Sequence, residues 1–320
     1  MKSIETTYRG VRDEIKKIII GQDGVIELLF ISVLCGGHSI IEGVPGLAKT
    51  LIINSLARTL DLTFNRIQFT PDMVPSDITG TEVLTAGVKE GKSFRFIKGP
   101  VFSNIVLADE INRTPPKTQS ALLQAMQERQ VTVLGETYEL PDPFFVMATQ
   151  NPIEYEGTYP LPEAQLDRFL LFIYIDYPKR DEEFQIIGAD SGKLSELRAV
   201  IDAKELKKLT GETRNIPVSD KVKDYAVELV RGTRPSESKL GFVKNYIEWG
   251  AGPRATQMLV RAAQARAAMD SKKMVDKEDI DSVLIPVLKH RIIPNYNAVS
   301  ERIDVSDLIG EIRKKVEAVL

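Results

Sequence analysis

The stretch Ile40-Ile41-Glu42-Gly43-Val44-Pro45-Gly46-Leu47-Ala48-Lys49-Thr50 decides the fold. It runs from an apolar strand through a Gly/Pro turn to a Lys-Thr pair that opens a helix. Such a loop suits a nucleotide phosphate, because backbone N–H groups free of side-chain obstruction converge on phosphate oxygens at a helix start whose dipole favours negative charge. Gly43 and Gly46 supply that freedom. In the pattern GxxxxGK[ST] the Lys reaches the β and γ phosphates and the hydroxyl ligates Mg²⁺, which gives those roles to Lys49 and Thr50. The expected ligands are ATP and Mg²⁺, and the binding segment comprises Gly43, Val44, Pro45, Gly46, Leu47, Ala48, Lys49, Thr50 and Leu51. Ala48 stands where the pattern has its last Gly. It fits if the backbone there is already helical and is strained at positive φ. The alternative is an ordinary strand-to-helix turn with an exposed Lys.

Outward from this loop, Ser39 to Glu42 is the strand and Thr50 to Leu60 the helix, preceded by helical spacing from Ser3 to Ile20 and again from Val25 to Cys35. Phe64 to Phe69 reads as a second strand. Ile105-Val106-Leu107-Ala108-Asp109-Glu110 is an apolar run ending in two acids, as expected of a buried parallel strand that delivers carboxylates to its C-terminal edge. Asp109 is assigned to the Mg²⁺ shell and Glu110 to orienting and polarising the attacking water. An acid pair capping the next helix is the plainer alternative. Thr114 is the expected cap of a helix starting at Pro115-Pro116, with Leu122, Ala125 and Met126 as its apolar stripe. Phe144 to Thr149 and Phe169 to Ile175 complete five strands of a parallel α/β sheet.

Two hairpins interrupt this pattern. One spans Val83 to Ile97, is broken at Lys89-Glu90-Gly91-Lys92, and carries Lys89, Lys92, Arg95 and Lys98; the other joins Val131–Leu134 to Thr137–Leu140 through Gly135-Glu136. Beyond Pro178 the strand signals disappear and helical spacing takes over at Val222–Val230, Pro253–Met269 and Asp276–Leu288, where Pro286 should kink or end the helix. The expected division is an α/β core over 1–180 and an all-α unit over 181–320, with Trp249 in the core of the latter.

The 320 residues suffice for two domains, and 43% hydrophobic with 27% charged residues is the composition of a globular chain with no apolar run long enough to span a membrane. The N-terminus has no apolar signal-peptide segment, and the single cysteine, Cys35, agrees with a reducing, cytoplasmic setting and reads as a buried apolar residue. A net charge of −3 gives no global attraction to nucleic acid or anionic lipid. His38 and His290 are too few and too far apart in sequence for a metal site and read as structural.

The ordered set Glu42–Thr50, Phe69-Thr70-Pro71-Asp72, Ser76–Gly80, Asp109–Arg113, Ala148-Thr149-Gln150-Asn151-Pro152 and Leu161–Phe169 resembles the AAA+ ATPases, and among them the MoxR family closely. Ala48 is normal in that family's loop. The resemblance implies a P-loop NTPase core with a parallel five-stranded sheet followed by an all-α lid, and it implies further roles. Asn151 looks like the sensor 1 residue that positions the attacking water; the alternative is a turn Asn before Pro152. Arg168 looks like the arginine finger inserted into a neighbouring subunit's site, against the alternative of an ion pair with Asp167 or Glu163. Arg254 looks like the sensor 2 arginine of the lid, against an exposed arginine at a helix start. Gly21 and Gln22, with Ile19 and Ile20, sit where the family packs adenine.

A homo-oligomeric, hexameric ring is implied, with chaperone-like work on client proteins, often alongside proteins with a von Willebrand factor A domain. A nucleic-acid motor is the second class considered. The Val131–Leu140 hairpin, which has no Lys or Arg, argues against it, while the basic Lys89–Lys98 hairpin argues for it. A nucleotide-gated switch with negligible turnover is the third, and an intact Glu110 argues against that.

Overall fold

The computed structural model describes residues 3–87, 91–152, 157–188 and 191–318. Helices α1 (Ile4–Ile15) and α2 (Asp23–Leu34) lead into β1 (Ser39–Glu42), which feeds α3 (Lys49–Thr59). Then come β2 (Phe64–Gln68), α4 (Pro75–Thr79), the hairpin β3 (Gly80–Gly87) and β4 (Gly91–Lys98), β5 (Ile105–Asp109) and α5 (Pro116–Glu128). A second hairpin, β6 (Gln130–Val133) and β7 (Glu136–Glu139), precedes β8 (Phe145–Gln150), α6 (Glu163–Leu166) and β9 (Leu171–Tyr174).

Five strands form one parallel sheet in the order β2-β5-β8-β1-β9. Alternate residues serve opposite faces, as a period of two requires. Ile41, Leu107, Phe145 and Met147 join α1, α2 and α3 on one side, while Ile40, Val106, Ala108, Val146 and Ala148 join α5 on the other. Both faces are covered, which explains why these strands read as continuous apolar runs.

The remainder is mainly helical: α7 (Arg180–Ile187), α8 (Ala203–Arg214), α9 (Asp220–Gly232), α10 (Gly241–Tyr246), α11 (Pro253–Met269), α12 (Lys277–Leu288), α13 (Tyr296–Ser300) and α14 (Val305–Glu317). Their starts follow from local chemistry. Asp202 accepts from the Glu205 N–H, Ser219 from Val222, Asp276 from Asp279 and Asp304 from Ser306, filling N–H groups that have no partner inside the helix. The apolar cluster on the α1–α3 side of the sheet continues without a break into Leu206, Tyr225, Leu259, Ile280, Leu284 and Ile309, so core and lid share buried surface.

Several local expectations are corrected. The lid is not purely α-helical: β10 (Ile247–Trp249) pairs antiparallel with β11 (Ile293–Pro294). Its register shifts between Ile247 and Trp249, which breaks the alternation, so Ile247 is buried while Trp249 stands 66% exposed rather than in the lid core. Pro115, not Thr114, holds the N-cap position of α5; Thr114 precedes a proline, is extended at φ −105° and ψ 152°, and is fully buried. The second hairpin turns one residue earlier than expected, on Leu134 and Gly135, with φ of 48° and 92°. That two-residue turn needs positive φ at both positions, and Leu134 accepts it at a fully solvated tip. In the first hairpin, Lys89 and Glu90 of the expected break lie outside the described residues. The two hairpins touch: the rings of Phe96 and Tyr138 stack at 4.2 Å, and Phe102 meets Phe96 edge-on at 5.7 Å.

Both histidines are packed into the structure. His38 Nδ1 accepts the Val146 N–H at 2.9 Å, so its proton resides on Nε2, which faces the Met126 carbonyl at 3.3 Å. Burial pushes its pKa from 6.5 down to about 4. In the unfolded chain this imidazole therefore takes up a proton first, and its contribution to stability, full above pH 6.5, is lost as pH falls toward 4. Between pH 7 and 4.5 wild-type protein should lose about 2 kcal/mol more unfolding free energy than His38→Asn, read by urea titration. Parallel losses in the two proteins would remove His38 as the cause.

Candidate nucleotide site

The parallel register determines what meets at the carboxyl edge of the sheet. Gln68 lies opposite Asp109, and Glu42 lies between Gln150 and Tyr174. The Gly43–Ala48 loop, the Asp109–Glu110 pair and Asn151 are the continuations of three neighbouring strands and therefore share that edge.

Within the loop the glycines answer two different demands. A Cβ on Gly43 would stand 2.7 Å from the Ile175 carbonyl oxygen, so the close approach of β9 forbids a side chain there. Gly46, by contrast, faces open space at φ 87°. Ala48 caps α3 in the left-handed region, at φ 57° and ψ 22°. Of the two possibilities open for Ala48, the structure takes the strained one: this Ala occupies a conformation that Gly adopts at no steric cost.

Lys49 is the first residue of α3, and its ammonium donates to the Gly43 carbonyl, folding the side chain back along the loop. Burial lowers its pKa, opposed by the negative field of Asp109, Glu110 and Glu42. Burial raises the pKa of Glu42 in turn, against the pull of Lys289 and Lys49. The cation expected to grip phosphate thus sits in the field of the two acids expected to manage Mg²⁺ and water.

Thr149 fixes those acids. Its hydroxyl donates to Asp109 Oδ1 at 2.6 Å and accepts the Glu110 N–H at 2.9 Å. Glu110 lies just past the strand in the left-handed region, φ 57°, and its side chain makes no cap bond to the following turn, which disposes of the capping alternative. Two residues of β2 escaped sequence reasoning. Arg66 donates to Asp109 Oδ2 from Nε at 2.9 Å and from Nη2 at 2.6 Å, and also to Gln68 Oε1. Gln68 Nε2 then donates to Glu110 Oε2 at 3.0 Å, where Arg113 Nε arrives at 2.9 Å. An Arg and a Gln two apart on an edge strand carry no sequence signal of this task.

These residues fit Mg²⁺. Among the described residues no three His, Cys, Asp or Glu side chains converge as a metal cage, but Mg²⁺ beside phosphates needs only one or two protein oxygens and keeps its waters. Asp109, with three hydrogen bonds on about four lone-pair sites, retains one for a metal-bound water.

Beside the loop lies a cavity of about 280 Å³ lined by Ile18, Ile19, Ile20, Leu47, Leu51 and Pro178, with Gln22, Gly46, Ala48 and Ile186 completing its wall. Its size and apolar lining suit a purine. Gln22 is fixed by donating to the Asp176 carbonyl at 3.1 Å. Gly21, expected beside it, is not among the lining residues; at φ 78° it faces Glu182, which packs too closely to admit a Cβ. Pro178 and Ile186 come from far along the chain, and nothing local announces them.

Asn151 is buried at the end of β8. Arg168 Nη1 donates to the Leu123 carbonyl at 3.1 Å. Asp167 is engaged by lid residues instead: Arg291 Nε at 2.8 Å and Arg254 Nη1 at 4.0 Å. Arg254, in the first turn of α11, is half exposed.

The Ala48 geometry is directly testable. Ala48→Gly should retain nucleotide binding and change the unfolding free energy by no more than about 1 kcal/mol, because relief of backbone strain is offset by the greater freedom of Gly in the unfolded chain. Ala48→Val, β-branched in a left-handed position, should cost about 1–2 kcal/mol by urea denaturation. Equal stabilities of the Gly and Val variants would mean that the backbone relaxes at this position.

Comparison with known proteins agrees with the architecture. Residues 38–171 match the ATPase family associated with various cellular activities (AAA), and residues 242–312 match the AAA lid domain. The chain is 43% identical over 304 residues to Chaperone MoxR1 of Mycobacterium tuberculosis, covering 95% of this chain and 80% of that protein. It is 31% identical over 325 residues to Protein MoxR of Methylorubrum extorquens, covering 95% and 93%. A crystal structure assigned as an ATPase from Cytophaga hutchinsonii superposes with a TM-score of 0.89 at 43% identity, covering 98% of this chain and 94% of that one. With the strand order, the phosphate loop and the helical lid all in agreement, the chain belongs to the MoxR family of AAA+ ATPases.

Proposed function

We propose that the protein hydrolyses Mg-ATP and couples the cycle to chaperone-like remodelling of partner proteins within a homo-oligomeric ring, a hexamer by likeness to its family. The observation that carries this reading is the meeting of Lys49 with Asp109 and Glu110 at one sheet edge, each half supplied by a different strand. Lys49 holds the β and γ phosphates, the Gly43–Ala48 amides wrap them, and the apolar cavity takes the base. Thr50 and Asp109 would hold Mg²⁺, which would supply neutralisation of the phosphate charge. Glu110 accepts the proton of the attacking water. Gln68 and Arg113 both load its Oε2, so this task is assigned to Oε1. Asn151 orients that water, Arg254 reaches the γ-phosphate from the lid, and Arg168 serves the site of the next subunit, where a guanidinium spreads positive charge over the transferring phosphoryl group.

The chaperone name of the M. tuberculosis relative supports the coupling to protein clients. A cytoplasmic location is proposed on the same grounds; no described helix is long and apolar enough to cross a membrane.

Three substitutions test the roles. Lys49→Ala should weaken ATP binding by about tenfold or more, the scale of a lost hydrogen bond between charged groups. Glu110→Gln should still bind ATP while turnover falls by about 10²-fold or more, measured by steady-state phosphate release. Arg168→Ala should bind nucleotide normally and lose about 10³-fold in turnover, with partial recovery when mixed with Glu110→Gln subunits that supply an intact arginine. An assembled Arg168→Ala ring turning over at the wild-type rate would remove the action in trans.

A further inference from the structure

Asp167 occupies an unusual position. It immediately precedes Arg168, at the C-terminal end of α6, and its carboxylate is shared by two arginines of the lid. The first, Arg291, is a buried clamp. Its guanidinium is only 2% exposed, donates to Asp167 Oδ1 at 2.8 Å and to the Asp167 carbonyl at 3.2 Å, and also reaches the Phe169 and Leu170 carbonyls on the far side of Arg168. His290, next to it, donates from Nε2 to the Phe169 carbonyl at 3.1 Å. The lid therefore grips the backbone on both sides of Arg168.

The second arginine, Arg254, behaves differently. Its Nη1 stands 4.0 Å from Asp167 Oδ2, and its side chain is 51% exposed, so it is weakly paired and free to leave. Arg254 and Arg291 also oppose each other: burial and the charge of Arg254 push the Arg291 pKa down to about 10, while Asp167 pulls it up. One carboxylate thus balances two cations, and the more mobile cation is the one assigned to the γ-phosphate.

We propose that Asp167 is a positioning residue that competes with the γ-phosphate for Arg254 and so transmits the nucleotide state of one subunit to its own Arg168, which serves the neighbour. The inference rests on the nucleotide-site reading given above. With ADP or no nucleotide, Arg254 stays on Asp167. With a γ-phosphate present, Arg254 transfers to it, Asp167 is left to Arg291 alone, and the segment carrying Arg168 shifts under that clamp. The competition makes a distinctive demand. Removing the carboxylate should strengthen binding of the triphosphate, whereas mere structural damage at this junction would weaken the binding of any nucleotide.

The test uses the assembled protein, a non-hydrolysable ATP analogue and ADP. Asp167→Asn, which keeps an acceptor for Arg291 but loses the charge, should tighten binding of the analogue by about two- to fivefold, the scale of a half-exposed ion pair, and leave ADP unchanged. The gain should vanish when Arg254→Ala is already present, and Asp167→Glu should restore the wild-type preference. Hydrogen exchange of the 163–170 amides should differ between analogue-bound and ADP-bound wild-type protein and be the same for both ligands in Asp167→Asn. Equal effects on both nucleotides, no effect on either, or a gain that survives Arg254→Ala would overturn the inference. If Asp167→Asn does not assemble, the wild-type exchange comparison decides, and identical protection with the two ligands refutes it. Wild-type protein with no affinity for either nucleotide removes the site reading itself; wild-type binding with an unresponsive Asp167→Asn removes only this inference.

Discussion

A parallel sheet sends every strand end to the same edge, and the chemistry assigned to this protein depends on that constraint. Lys49 begins the helix after β1, Asp109 ends β5, and Thr149 lies near the end of β8. Only because β8 lies between β1 and β5 can one hydroxyl tie Asp109 to the Glu110 backbone while both acids act on the Lys49 ammonium. The field of three carboxylates offsets part of the desolvation of the half-buried Lys49 ammonium, and burial still holds its pKa down. The arrangement is also electrically poised. In the present structure those charges are held by internal partners, Lys49 by the Gly43 carbonyl and Asp109 by Arg66 and Thr149.

The parts legible in the sequence were those encoded by local rules. The strand–loop–helix around Lys49, the apolar run before Asp109 and the helix from Pro253 to Met269 all announce themselves through short-range signals: glycine placement, continuous apolarity, and a proline in a first turn. Trp249 was misjudged because a register shift, invisible in the residue pattern, turned it to solvent. At Ala48 the sequence left a helical and a positive-φ backbone both open, because local propensity argues against positive φ and only the closed loop around it enforces that conformation. Arg66, Gln68, Pro178, Ile186 and Arg291 were missed for a different reason. Each reaches the site through a partner on another element, 43 residues away for Arg66 and 124 for Arg291, and no periodicity carries that information.

Core and lid are less separate than their composition suggests. The apolar cluster beneath α1, α2 and α3 extends through α8, α9, α11 and α12, and Arg291 adds a polar anchor across the same boundary. The apolar cavity beside the Gly43–Ala48 loop is closed by this packing too, with α7 contributing Ile186 to its wall. A change in what fills the cavity therefore acts on packed surface rather than on a loose tether, and packed surfaces respond by shifting between discrete arrangements.

The ring stack between Phe96 and Tyr138 extends that logic to the other side of the sheet. β3–β4 and β6–β7 emerge from separate points in the chain, yet the stacked rings weld their bases together. With Phe102 edge-on to Phe96, three rings join the two hairpin bases, so a displacement of either base carries the other with it.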